Sequence, residues 1–437
     1  MRGKRVPVVI VIFISLAMLL SATQYAHADT GLVPPPTNLT ATAVSSSEID
    51  LSWTAPTGVG LVVSGYEIER STNGGLTWSV LVASTGSTAT TYSDTGLAHT
   101  TTYTYRVHTV TAIGTSFPSD TASATTFAVA PSPPTGLVAT AVSSSQIGLT
   151  WTAPTDNGGS AITGYKIERS TDGGTTWSAL VNTCGTSTSC SDTGLPHTTT
   201  FTYRVSAINS VGTGSPSTTA SAATLAVAPS PPTGLAASAS SSSQISLSWT
   251  APTDNGGSAI TGYKIERSTD GGTTWSTLVA NTGNTATTYS DTGLTHTTTY
   301  TYRVSAINSI GTSSASSVAS ATTPIAAPSP PTGLTATAAS SSQVSLTWTA
   351  PADNGGSAIT GYKIERSTDG GTTWTTLVAN TGNTAATYSD TGLTRATAYS
   401  YRVSAINSAG TGSLSITASA TTLAVAPSSP TGLAATA

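Results

Sequence analysis

The chain runs to 437 residues, of which only 8% are charged, and its formal net charge is −4. That length provides for about three or four domains, each large enough to bury its own core. A surface this poor in Lys and Arg offers no footprint for a phosphate backbone, which excludes nucleic acid, and the regular return of Trp, Tyr and aliphatic residues excludes disorder.

Residues 1–28 read as a signal peptide. Arg2, Lys4 and Arg5 form a basic start, Val8 to Leu20 an apolar core, and Ala26-His27-Ala28 a small-x-small cleavage site. The other reading is a retained anchor, but a bilayer span needs about 20 apolar residues and this run is shorter. With the signal removed no membrane span is expected, and the mature chain is secreted or held at the cell surface.

Beyond the signal the chain repeats itself. Trp53, Trp151, Trp249 and Trp348 recur in one frame, as in Gln146-Ile-Gly-Leu-Thr-Trp-Thr-Ala-Pro154, and Gly159–Trp177 returns letter for letter at Gly257–Trp275 and Gly356–Trp374. The interval is that of a whole domain and too long for a solenoid repeat. Within each unit the apolar period is two, which predicts strands with one buried face. Ile147, Leu149 and Trp151 alternate with small residues, and Tyr165 and Ile167 alternate with Lys166 and Glu168. Asp172-Gly173-Gly174 then supplies a tight hairpin turn before the strand that carries Trp177. Tyr300, Tyr302, Val304 and Ala306 mark a later strand. Many short strands with turns between them predict an antiparallel sandwich. Proline-rich joints, Ala130-Pro131-Ser132-Pro133-Pro134 and its copies at Ala228 and Ala327, predict an elongated string of such units.

These motifs together resemble the fibronectin type III family: Pro-Pro-Thr-Gly-Leu at the opening, Trp on the second strand, Gly-Tyr-Lys-Ile-Glu on the third and Asp-Thr-Gly-Leu before the sixth. The resemblance implies an all-β chain of four immunoglobulin-like sandwiches at 33–126, 131–224, 229–323 and 328–422, with 427–437 as the first strand of an incomplete fifth unit. It also implies a tyrosine corner at Tyr103, Tyr300 and Tyr399. The second unit departs, carrying Phe201 at that position, and it holds both cysteines. A Cys184–Cys190 disulfide, contributing about 2 kcal/mol, is expected to compensate for a lost hydrogen bond of about 1 kcal/mol; the alternative is two small residues that never meet. The first unit also departs, with an apolar loop Thr57–Val63 expected to pack beneath the segment after the signal.

Chemistry is sparse. Asp156, Asp254 and Asp353 lie in Asp-Asn-Gly-Gly loops without a second carboxylate and read as turn residues. His99, His197 and His296 recur once per unit where the fourth has Arg395, and read as solvated loop residues. Asp192-Thr193-Gly194 reads as a strand bend. Lys166, Glu168 and Arg204 are expected to pair across strands on the outer face. Trp78, Trp177, Trp275 and Trp374 are either edge covers or, if open, a repeated stacking platform for sugar rings. Asn38-Leu39-Thr40 is a glycosylation acceptor sequence. No catalytic group, cofactor or metal is expected. The expected function is a non-enzymatic extracellular or cell-surface spacer and adhesion protein whose partners are extracellular proteins or carbohydrate. The alternative is a non-catalytic linker region of a larger extracellular enzyme such as a polysaccharide hydrolase.

Overall fold

The computed structural model describes residues 33–58, 62–180, 184–429 and 431–432, so the expected signal segment lies outside the described residues. In the first domain the strands are β1 (Thr37–Ala43), β2 (Glu48–Thr54), β3 (Val63–Ser71), β4 (Ser79–Val82), β5 (Thr91–Thr95), β6 (Thr102–Thr111), β7 (Gly114–Thr115) and β8 (Ala122–Thr125). One sheet runs β1-β2-β5; the other runs β4-β3-β6-β7, with β8 also paired to β6. Every pairing is antiparallel. The second, third and fourth domains repeat the two-sheet plan, and the described residues contain no helix.

Period two is what makes these segments strands. In Gln244–Thr250 the buried positions are Ile245, Leu247 and Trp249, while the residues between them face outward. The opposite sheet supplies Tyr263, Ile265, Tyr302 and Val304 to the same core. Each buried aliphatic or aromatic side chain contributes about 1.5–3 kcal/mol. Trp249 meets Tyr263 edge-on, ring centroids 5.1 Å apart at 71°, and the other three domains repeat that contact. This geometry suits the ring quadrupoles.

The chain divides into two compact units. One comprises Met1–Ala141, Gln146–Gly194 and Thr200–Ala223, and the other Val142–Ser145, Leu195–Thr199 and Thr224–Ala437. Among the described residues no helix is long and apolar enough to cross a membrane. Residues 427–429 and 431–432, where a fifth unit's strand is expected, form no strand, and the rest of that stretch lies outside the described residues.

Candidate functional site

The loops read above as plain turns form the joints between domains. Within one of the two compact units, His99 Nε2 lies 2.8 Å from Asp156 Oδ2. Within the other, His197 Nε2 lies 2.9 Å from Asp254 Oδ2, and His296 Nε2 lies 2.8 Å from Asp353 Oδ1. The three histidines are therefore half-buried and paired, not solvated, because each belongs to one domain and its aspartate to the next. Asp156 also accepts the Gly158 amide at 2.8 Å. The hydrogen bonds from His99 and then from the Gly158 amide hold the Asp156 carboxyl below the usual range, and Asp254 is shifted likewise by His197 and Gly256. For Asp353 the Gly355 amide acts first and His296 second.

Backbone geometry completes the joint. Gly159 sits at φ +78°, and a Cβ there would lie 1.9 Å from Thr100 Cγ2 in the preceding domain. No side chain fits that position. The linker is stitched to the same loop, Val129 donating to the Gly158 carbonyl at 2.9 Å and Ser132 to the Asp156 carbonyl at 2.9 Å. Asn209 donates to the Val129 and Asn157 carbonyls at 2.6 and 2.9 Å. Corresponding bonds form at Val227 with Asn308 and at Ala326 with Asn407. Arg395, in the histidine's place in the fourth domain, is exposed, next to Ala396 at φ 50°. The first domain lacks the aspartate. Its loop was expected to pack beneath the segment after the signal; Val63 packs against the first domain's core but Val62 is 77% exposed, and residues 59–61 lie outside the described residues.

Inside each domain a polar group threads the core edge. Asp192 is buried, accepts the Tyr203 hydroxyl at 2.9 Å and holds Arg169 Nη1 through both carboxylate oxygens. Asp94, Asp291 and Asp390 do the same for Tyr105 with Arg70, Tyr302 with Arg267 and Tyr401 with Arg366. Burial and then the carboxylate bond push these four tyrosines upward. The Asp-Thr-Gly triplet is thus a buried anchor as well as a bend. The arginine lies over a second ring, 5.4 Å from the Tyr300 centroid in the third domain.

At the corner the Tyr103, Tyr300 and Tyr399 hydroxyls accept the Ala98, Thr295 and Thr394 amides, each at 3.0 Å. In the second domain Phe201 has no hydroxyl, but the amide position is Pro196, which has no N–H. No donor is orphaned, so the compensation expected from the cysteines is already present in Pro196. The Cys184–Cys190 disulfide is formed, with Cα atoms 5.7 Å apart. Cys190 pairs with Leu149 where Tyr92 and Tyr289 pair with Leu51 and Leu247, so the bridge occupies an aromatic side chain's place.

Trp78, Trp177, Trp275 and Trp374 are half-buried, and each carries a guanidinium, from Arg106, Arg204, Arg303 and Arg402, 4.3 Å above its ring. One face of the expected sugar platform is therefore already stacked. A Cβ on Gly75 would come within 3.2 Å of the Trp78 indole, so the ring also lies against its own turn. Arg204 continues to Glu168 at 2.7 Å and Glu168 to Lys166 at 2.7 Å, an ordered outer ladder. In the first domain His108 replaces serine and contacts Glu69 at 2.9 Å. Burial draws Glu69 upward, but its bonds from Arg106 and His108 outweigh that and lower it. Asn38, at φ 54°, donates to Thr54 Oγ1 at 3.2 Å. Among the described residues no three His, Cys, Asp or Glu side chains gather as metal ligands.

The family model described as "Fibronectin type III domain" matches residues 34–125, 132–223, 230–322 and 329–421. Exoglucanase B of Cellulomonas fimi is 36% identical over 314 residues, 69% of this chain and 26% of that protein. Chitinase A1 of Niallia circulans is 34% identical over 198 residues, 42% of this chain and 25% of that protein. Titin of Drosophila melanogaster is 29% identical over 296 residues, 66% of this chain and 2% of that protein. The chain thus spans at most about a quarter of these relatives. A crystal structure of chicken CNTN1 FN1–FN3 domains covers 67% of this chain and 99% of its own, with 24% identity and a TM-score of 0.31.

Proposed function

Because the chain belongs to the fibronectin type III family, with four such domains between residues 34 and 421, we propose that it is a non-enzymatic spacer and adhesion protein of the extracellular space or cell surface. The observation that carries this reading is the joint. A glycine with no room for a Cβ, a stitched linker and a His–Asp contact recur at each of three successive boundaries. Such construction serves positioning, and repeated modules gain avidity from weak contacts. Carbohydrate or protein partners are then met by the outer faces.

One observation favours a second reading, a non-catalytic linker region of a larger polysaccharide hydrolase: the likeness to an exoglucanase and a chitinase. The test is to purify the native protein from its producing cells, measure its intact mass, and assay the same material for β-glucan and chitin hydrolysis and for retention on the cells. Cell retention without hydrolysis supports the spacer. Hydrolysis that copurifies with a mass well above 43.5 kDa overturns it in favour of the linker.

A further inference from the structure

The sequence contains four Asn-Gly pairs: Asn73-Gly74 in the β3–β4 turn, and Asn157-Gly158, Asn255-Gly256 and Asn354-Gly355 in the joints. The pair has a known chemical weakness. The glycine backbone nitrogen attacks the asparagine Cγ, a carbon–nitrogen bond closes a five-membered succinimide, and the side-chain amide leaves as ammonia with the proton. Water then opens the ring to aspartate or isoaspartate. Glycine favours the attack because it has no Cβ in the way, and the attacking nitrogen must first give up its N–H.

We propose that Asn73 is a site of spontaneous deamidation in the folded protein, and that the joint aspartates shield Asn157, Asn255 and Asn354 from the same reaction. The difference lies in the glycine nitrogen. Gly158, Gly256 and Gly355 each donate their N–H to a carboxylate oxygen, of Asp156, Asp254 and Asp353, at 2.8 Å. A charge-assisted bond of this kind must break before attack, and the carboxylate opposes loss of the proton. The Gly74 N–H has no acceptor among the described residues. Gly74 is exposed, and nothing lies within 4 Å of the Cβ direction. Meanwhile the Asn73 carbonyl, the group under attack, accepts from the Ser71 hydroxyl at 2.8 Å and the Thr77 amide at 3.0 Å, which polarises it.

The turn is also built for the product. At the matching position the other domains carry Asp172, Asp270 and Asp369. Asp172 takes up the same partners, the Ser170 hydroxyl at 2.6 Å, the Thr176 amide at 2.9 Å and the Thr176 hydroxyl at 2.6 Å. Those bonds, the Ser170 hydroxyl first, hold its carboxyl well below the usual range. Conversion of Asn73 to aspartate therefore adds one negative charge to a turn that three sibling domains already run with that charge.

The experiment ages the full-length protein in warm, mildly alkaline buffer prepared with 18O water and maps the label by peptide mass spectrometry. Asn73 is expected to convert about ten- to a hundred-fold faster than the joint asparagines, the ratio that one charged hydrogen bond confers. In urea the four sites should converge. In Asp156→Ala, Asn157 should lose its protection while Asn255 and Asn354 keep theirs. His99→Ala, which loosens the joint but leaves the Gly158 bond, should keep Asn157 protected. Equal rates at all four sites in the folded chain overturn the proposal, as does an Asn73 that outlasts Asn255, or an Asn157 still shielded in Asp156→Ala.

Discussion

Phe201 and Pro196 show how a single residue is read only with its partner. A tyrosine corner needs a hydroxyl to accept and an amide to donate, and the second domain has neither. Tyr300→Phe should therefore cost about 1 kcal/mol, because the Thr295 N–H is left without its acceptor. Phe201→Tyr should bring no gain, since Pro196 offers no donor. Calorimetry of the two variants decides this, and a clear stabilisation by Phe201→Tyr would refute the pairing. The buried aspartates carry more. Asp291 is 3% exposed and holds both Arg267 and Tyr302. Asp291→Ala strands a cation and a hydroxyl at the core edge, so a loss of about 3–5 kcal/mol is expected, confined to the third domain's transition. A loss below that of Tyr300→Phe would mean the arginine finds water instead.

Strands and the proline-rich linkers were legible in the sequence and the contacts that build the joints were not, for a physical reason. A strand announces itself within a few residues, since Ile245, Leu247 and Trp249 alternate locally with small polar residues. A joint is made by residues far apart on two domains, and Asp156 read alone is a good turn residue. The usable signal was the company it keeps: His and Asp recur together in constant register, 57 residues apart at each of the three pairs. Gly159→Ala and Gly173→Ala separate the two roles of glycine. Both sit near φ +75° and carry similar backbone strain, but a Cβ at Gly173 meets nothing within 4 Å. Only Gly159→Ala should accelerate amide exchange at Val129 and Ser132; equal exchange in both variants would remove the joint's claim on that glycine. The disulfide is likewise an element-scale device. Cys184→Ser with Cys190→Ser should lower the second domain's stability by about 2 kcal/mol, measured by denaturant unfolding, with the other domains unmoved.

Among the described residues the titrating groups that are clearly shifted fall into two sets with opposite signs. The carboxyls of Glu168, Glu266 and Glu365 in the outer ladders, and of Asp156, Asp254 and Asp353 in the joints, are held below their ordinary values. Their contribution is present above about pH 4 and is lost as pH falls through the lowered values. Tyr105, Tyr203, Tyr302 and Tyr401 are raised, so their contribution is present below about pH 10 and is lost above it. Melting temperature should therefore plateau between about pH 5 and 9 and fall on both sides. A chain that melts at the same temperature at pH 2 and pH 7 would contradict the ladders and joints alike. The joint has one more consequence, and it concerns inheritance. Each middle domain brings a histidine at one end and an Asp-Asn-Gly-Gly seat at the other. Near-identical neighbouring copies invite unequal recombination, and an in-frame gain or loss of one whole copy would rejoin a histidine to a seat. A change in the number of copies would thus need no new interface, because each new junction would repeat the same pairing.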